Sequence, residues 1–257
     1  MLYQIKQYIK FLFKSTNQHG VHSPFVYNLV TKCFYDSSHF DAYNQLSNYK
    51  EELLENRTKI QVTDLGVGSH ATKQKERFVS EIAKNAGTTN SRARLLYRIT
   101  TYFKFENILE LGTSLGVATH AMSLANTKAN ITTIEGCPNI SEFSKNNLRK
   151  HHLENINLMT GDFNKTIKNL APKTFDLIFF DGNHQKDATL LYFESFLNTV
   201  HNDSVFIFDD IYWSKSMTEA WEIIKQHPQV TVTIDTFFWG FVFFRKEQLK
   251  EHFVIRI

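Results

Sequence analysis

From residue 107 onward the chain alternates short β-rich runs with helical stretches, and this rhythm confines it to a parallel α/β architecture. The runs are Asn107 to Leu111, Ile131 to Glu135, Ile156 to Met159, Phe175 to Asp181 and Ser204 to Asp209. Helical apolar spacing lies between and after them, at Val117, His120, Ala121 and Leu124, at Leu190, Phe193 and Leu197, and at Met217, Ala220, Trp221 and Ile224. Such βαβ units require right-handed crossovers and a mostly parallel sheet. After Gln226 the pattern changes: Val230, Val232 and Ile234 alternate with Thr231, Thr233 and Asp235, and Phe241 to Phe244 follows at once. A parallel return needs a dozen residues or more, so the last pair is expected to be an antiparallel hairpin turning near Trp239 and Gly240.

The predicted fold class is therefore α/β: a Rossmann-like doubly wound sheet of five parallel strands plus a C-terminal antiparallel hairpin, with an N-terminal mainly helical cap. Helices are expected near 2–14, 24–34, 41–55, 72–85 and 91–103, with one strand-like run at Ile60 to Leu65. This divides the chain into a cap and substrate-side region, 1–103, and a catalytic domain, 104–257. The first helix carries Leu2, Ile5, Ile9, Leu12 and Phe13 on one stripe and Lys6, Lys10 and Lys14 on another. Docking of the apolar stripe on the protein itself is expected in preference to a membrane surface.

Composition excludes several classes. At 42% hydrophobic and 21% charged residues, the chain can bury enough apolar surface to offset its ordering entropy, so it is not intrinsically disordered. A net charge of +3 lacks the concentrated basic face of a nucleic-acid binder. No stretch reaches the ~20 apolar residues of a membrane span, and the lysines interrupt any signal-peptide core near the start. Two cysteines, Cys33 and Cys137, form no disulfide framework, which fits a cytoplasmic location.

The chemistry gathers at strand ends. Ile108-Leu109-Glu110-Leu111-Gly112-Thr113-Ser114-Leu115-Gly116 places a carboxylate and two glycines at a strand-to-helix turn, where backbone can approach a ligand. The next run ends in Glu135-Gly136, 25 residues after Glu110, where an acid can take a ribose diol. The third is followed by Gly161-Asp162-Phe163, an acceptor for an exocyclic amine beside a ring for stacking. The set suits adenosine. The dinucleotide fingerprint G-x-G-x-x-G is missing, which disfavours a nicotinamide cofactor.

These residues resemble the class I S-adenosylmethionine-dependent methyltransferases, over about 91–246, with the catechol O-methyltransferase-like small-molecule enzymes as the nearest pattern. The resemblance implies that Glu110 and Gly112 line the methionine part of the cofactor, with Thr113, Ser114 and Gly116 in the same loop. It also implies that Glu135 holds the ribose hydroxyls and Asp162 meets the adenine. Where relatives often carry a serine, two residues after the second glycine, this chain has Ala118, followed by Thr119.

A second set follows strands four and five. Phe180-Asp181-Gly182-Asn183-His184 and Phe208-Asp209-Asp210 bring three carboxylates to the carboxyl ends of the sheet without a pairing lysine in sequence. A hard divalent cation such as magnesium would compensate them. In the metal-dependent O-methyltransferases these segments resemble, Asp181, Asp209 and Asp210 fall on the ligand positions, with Asp210 where many relatives have Asn. His184 falls on the general base, a place also held by histidine in related sugar methyltransferases. An imidazole, with a reference pKa of ~6.5, accepts a proton near neutrality. The other reading is that Asp181 only lines the cofactor and an aspartate after strand five caps the next helix.

Two further motifs are assigned bland roles. Thr63-Asp64-Leu65-Gly66-Val67-Gly68-Ser69 resembles a cofactor loop but no strand and acid follow it, so it is read as structural or substrate-side. His19-Gly20-Val21-His22-Ser23-Pro24 is read as a turn and helix start, not a metal site. The Asn/Asp-Pro-Pro-aromatic signature of nucleic-acid amino-methyltransferases is absent. The expected activity is transfer of a methyl group from S-adenosylmethionine to an oxygen of a small molecule with divalent-metal assistance. A homodimer is compatible with such an enzyme. The alternatives are a metal-free N- or RNA methyltransferase, or a cofactor-binding protein without turnover.

Overall fold

The computed structural model describes residues 2–63, 75–170 and 174–257. Two compact units form, one from 1–35 with 172–257 and one from 36–171. The chain contains a mainly parallel sheet of eight strands and a two-stranded ribbon. The units do not follow the expected division at 103/104. Helices α1 (Leu2–Lys14) and α2 (Pro24–Leu29, continued by a π-helical turn Val30–Phe34) belong with the C-terminal strands. The start of α2 has a local cause: Ser23 Oγ accepts the Val26 N–H at 3.4 Å and Pro24 occupies the first turn. His19 and His22 lie exposed ahead of it.

The 36–171 unit contains α3 (Ala42–Glu55), β1 (Lys59–Gln61), β2 (Glu76–Phe78), α4 (Val79–Asn85) and α5 (Asn90–Phe103). It continues through β3 (Asn107–Leu111), α6 (Val117–Ala125), β4 (Asn130–Glu135), α7 (Pro138–Lys150), β5 (Ile156–Thr160) and the single turn α8 (Phe163–Thr166). Strand β4 pairs in parallel with β3 on one side and β5 on the other, as the βαβ rhythm requires. The expected helix at 72–85 is shorter: 76–78 is a strand antiparallel to β1, and 72–74 fall outside the described residues. Side-chain bonds explain why α3 to α5 join these strands. Tyr49 donates its hydroxyl to Leu115 O at 2.7 Å, and α5 packs on α6. Buried Lys50 donates to Ala83 O at 2.7 Å and Thr88 O at 3.2 Å, which offsets the cost of burying its ammonium. Burial also holds Lys50 below the usual lysine pKa.

The other unit continues with β6 (Leu177–Phe180), α9 (Lys186–Phe196), β7 (Val205–Asp209), α10 (Lys215–Gln226), β8 (Val232–Asp235), β9 (Trp239–Phe243) and β10 (Glu251–Val254). Strands β6 and β7 are parallel, and β8 and β9 form the expected antiparallel hairpin, with β9 also antiparallel to β7. The turn, however, is at 236–238, where Phe237 has φ 72 and its N–H is held by Asp235 Oδ1. Trp239 and Gly240 are in the ladder itself, opposite Asp209 and Phe208. Strand β10 was not expected; it adds in parallel to β8. Phe179, Phe206, Phe208, Phe241 and Phe243 are fully buried, and Phe180 stacks on Phe208 at 4.3 Å, so most of the 23 phenylalanines are core, as a sheet covered on both faces demands.

Helix α1 departs from expectation. It docks through Tyr3, Gln4, Tyr8 and Phe11: the Tyr3 hydroxyl donates to Thr218 Oγ1 at 2.8 Å, and Tyr8 and Phe11 pack on Phe237. Its aliphatic stripe faces outward, with Leu2 and Phe13 almost fully exposed and Ile5 and Ile9 half-exposed. Among the described residues no helix is long and apolar enough to cross a membrane.

Candidate active site

In the 36–171 unit, three strand ends hold the residues expected to meet a nucleoside. The loop after β3 is shaped by left-handed backbone at Gly112 (φ 111), Ser114 (φ 48) and Gly116 (φ 78). Gly112 and Thr113 both donate their N–H to Ile134 O, locking the loop to β4. Ser114 N–H donates to Glu135 Oε2 at 2.8 Å, and Cys137 N–H to Glu135 Oε1 at 2.9 Å. The carboxylate of Glu135 is thus oriented by backbone from both loops while staying half-exposed at the strand end. Gly136 follows it, half-exposed.

Glu110 is fully buried. Its Oε2 accepts from Thr119 Oγ1 at 2.5 Å and from Thr133 Oγ1 at 2.6 Å, and Thr113 Oγ1 lies 2.6 Å from Thr133 Oγ1. Among the described residues, its Oε1 is buried without a protein partner. Burial is the main cause that raises the Glu110 pKa to about 7, with the nearby charge of Glu135 adding to it. The folded chain therefore holds a proton that the unfolded chain releases from about 4.5 upward. Stability from this group is complete below 4.5 and is lost as pH rises through about 7. Glu110→Gln should accordingly gain in Tm relative to the parent protein across that window. Thermal melts at its two ends check this; a constant Tm difference would show that Glu110 does not titrate there.

Asp162 caps α8, its Oδ1 accepting the Lys165 N–H at 3.3 Å, next to Gly161 (φ 154) and half-buried Phe163. The capping bond uses one carboxylate oxygen. Three supporting residues were not anticipated: Tyr49 from α3, Ser144 from α7, which donates to Ser114 O at 2.5 Å, and Thr133 on β4. Thr119, next to Ala118, donates to Glu110. A Cβ at Gly116 would stand 3.1 Å from the Tyr49 hydroxyl, so that side of the loop is closely packed.

In the other unit, Asp181, His184 and Asp209 converge, each offering a ligand atom within 4.8 Å of the others. Asn183, at φ 52, turns the chain after β6 so that His184 comes back over Asp181. Asp209 ends β7, is 7% exposed, and accepts the Trp239 indole N–H through Oδ1 at 2.7 Å. The His184 ring lies 6.2 Å from that of Trp213. Asp210 is half-buried at φ 53 and stands outside this group, whereas His184 stands inside it. Two carboxylates with an imidazole form a donor set that fits a divalent cation. The Gly66 to Ser69 loop lies outside the described residues.

A parallel sheet with a glycine turn after its first strand, acids at the next strand ends and a closing antiparallel hairpin defines the class I S-adenosylmethionine-dependent methyltransferase fold. Residues 109–211 match the family model of a methyltransferase domain. Solved structures agree on the fold. The S-adenosylhomocysteine-bound methyltransferase PaMTH1 of Podospora anserina is 16% identical, with TM-score 0.62 over 88% of this chain and 97% of that one. A structure described as a putative caffeoyl-CoA O-methyltransferase from Staphylococcus aureus is 20% identical, with TM-score 0.56 over 64% and 88%. An O-methyltransferase from Bacillus cereus in complex with S-adenosylhomocysteine is 16% identical, with TM-score 0.55 over 82% and 93%. Among curated proteins, none matches the sequence.

Proposed function

We propose that this protein transfers the methyl group of S-adenosylmethionine to a hydroxyl of a small molecule in the cytoplasm, with a divalent cation held by Asp181 and Asp209. The observation that carries the reading is the convergence of those two carboxylates with His184 at the ends of β6 and β7. The similar structures bound to S-adenosylhomocysteine and described as O-methyltransferases support it. The unpartnered Glu110 Oε1 suits an ammonium donor, and Glu135, held by two N–H groups, suits a ribose diol. S-Adenosylmethionine supplies an already activated methyl group, so the protein's task is alignment, deprotonation of the acceptor and exclusion of water. His184 is the residue placed to take the acceptor proton; Asp181 and Asp209 would hold a divalent cation, which when bound would supply Lewis acidity to the acceptor hydroxyl. No observation favours the metal-free N- or RNA-directed reading.

Labelled donor offered to a metabolite extract and, separately, to an RNA pool tests the acceptor class; label in RNA alone would overturn it. Stripping metal with EDTA should suppress turnover and leave S-adenosylhomocysteine affinity unchanged. Asp181→Asn and Asp209→Asn should weaken metal affinity, while Asp210→Asn should be mild, as its place outside the group requires. Full activity after stripping would remove the metal from the proposal.

Glu135→Ala should weaken cofactor binding by ~1 to 3 kcal/mol, because it leaves ribose hydroxyls and two backbone donors unpaired. Calorimetry decides this, and unchanged affinity would place the ribose elsewhere.

A further inference from the structure

Helix α1 has an outer surface that the methyl-transfer reading does not use. Leu2, Ile5, Ile9 and Phe13 follow one another along it, 86%, 51%, 50% and 88% exposed. Lys6, Lys10 and Lys14 form an exposed row beside them, and the helix contains no acidic residue. The opposite face is the docked one, held by the Tyr3 bond to Thr218 and the packing of Tyr8 and Phe11 on Phe237. At the C-terminal end of the helix, Arg256 donates to Leu12 O at 2.8 Å and to Ser15 Oγ, which keeps another cation at that end.

We propose that α1 is a peripheral docking surface for an anionic lipid bilayer. A row of aliphatic and aromatic side chains bordered by lysines matches the chemistry of a membrane interface: the apolar row enters the boundary between headgroups and acyl chains, and the ammonium groups pair with lipid phosphates. Charge argues against a second copy of the chain as the occupant. A two-fold pairing through this face would bring two lysine rows together, with no acid on the helix to neutralise them. The nearby acids of α10 are already engaged, Glu219 with Lys186 at 3.0 Å and Glu222 with Lys225 at 2.8 Å. The same docked face leads inward to the metal-site side of this unit: Phe237 stacks on Tyr212, and Tyr212 precedes Trp213, whose ring neighbours His184.

The test is flotation of the full chain with vesicles of phosphatidylcholine alone and of phosphatidylcholine mixed with phosphatidylglycerol. Binding to the anionic vesicles only, weakening as salt rises, is expected. The Lys6→Gln, Lys10→Gln, Lys14→Gln triple variant should lose roughly a hundredfold in partitioning, at about fivefold per lysine. Ile9→Glu with Phe13→Glu should abolish it; both residues are on the exposed face, and retained cofactor affinity shows that the variants fold. No binding to anionic vesicles, or equal binding by both variants, overturns the proposal. So does sedimentation showing a dimer that Ile9→Glu with Phe13→Glu dissociates, because the face would then belong to a second copy.

Discussion

Replacing His184 by alanine is expected to lower methyl transfer by ~100- to 10,000-fold, the usual contribution of a positioned base, with partial recovery at high pH where the acceptor ionises unaided. His184 is well placed for this. The Asn183 turn returns it to within 4.8 Å of ligand atoms on Asp181 and Asp209, and it is half-buried rather than sealed. Metal affinity measured on the same variant separates two roles for the imidazole. A base leaves affinity within a few-fold, since the carboxylates remain; a ligand takes it down with the rate. An active variant with an unchanged pH profile would leave alignment alone to account for catalysis.

The second large effect is expected at Gly112. Its φ of 111 is a conformation that a β-branched residue adopts only at a cost, and its N–H is committed to Ile134 O, so the backbone has little freedom to relax. Gly112→Val should therefore abolish cofactor binding by displacing the loop that also presents Ser114 N–H to Glu135. Gly68→Val, in the competing glycine loop, should leave affinity within a few-fold. Isothermal titration with S-adenosylhomocysteine, accompanied by circular dichroism for fold, distinguishes the two. Loss at Gly68 with retention at Gly112 would reverse the assignment of the cofactor loop.

Much of this was legible in the sequence because strand and helix periodicities differ and acids at strand ends stand out from apolar runs. The alternation of Val232 to Asp235 was readable as a strand, and the hairpin followed from the short connection. The turn was misplaced because Trp239 and Gly240 look like turn residues, yet Gly240 is in the ladder, where a Cβ would stand 2.7 Å from the Trp221 ring. Strand β10 escaped notice because its four residues carry only a brief apolar signal at Phe253 and Val254. The apolar stripe of α1 is legible in the sequence, but periodicity reports which side is apolar and says nothing about what covers it. Asp209 and Asp210 are adjacent letters that the sequence reads alike; the backbone separates them, since Asp209 closes β7 within the group that includes Asp181 and His184, and Asp210 lies beyond it at φ 53. The burial of Glu110 was likewise invisible, because its threonine partners come from α6 and β4 rather than from its own strand.

The indole of Trp239 reaching Asp209 has a consequence for where this protein can be cut or recombined. The matched domain stops at residue 211, before the hairpin, which makes the hairpin look like dispensable trim. Yet β9 supplies both the antiparallel partner of β7, with Trp239 opposite Asp209, and the hydrogen bond that holds one oxygen of that carboxylate. A transplant ending at residue 211 would therefore leave β7 with an open edge and Asp209 without its indole donor. The smallest exchangeable piece on this side runs through β9, and breeding chimeras from distant homologues will succeed or fail on whether donor and recipient agree at that one tryptophan.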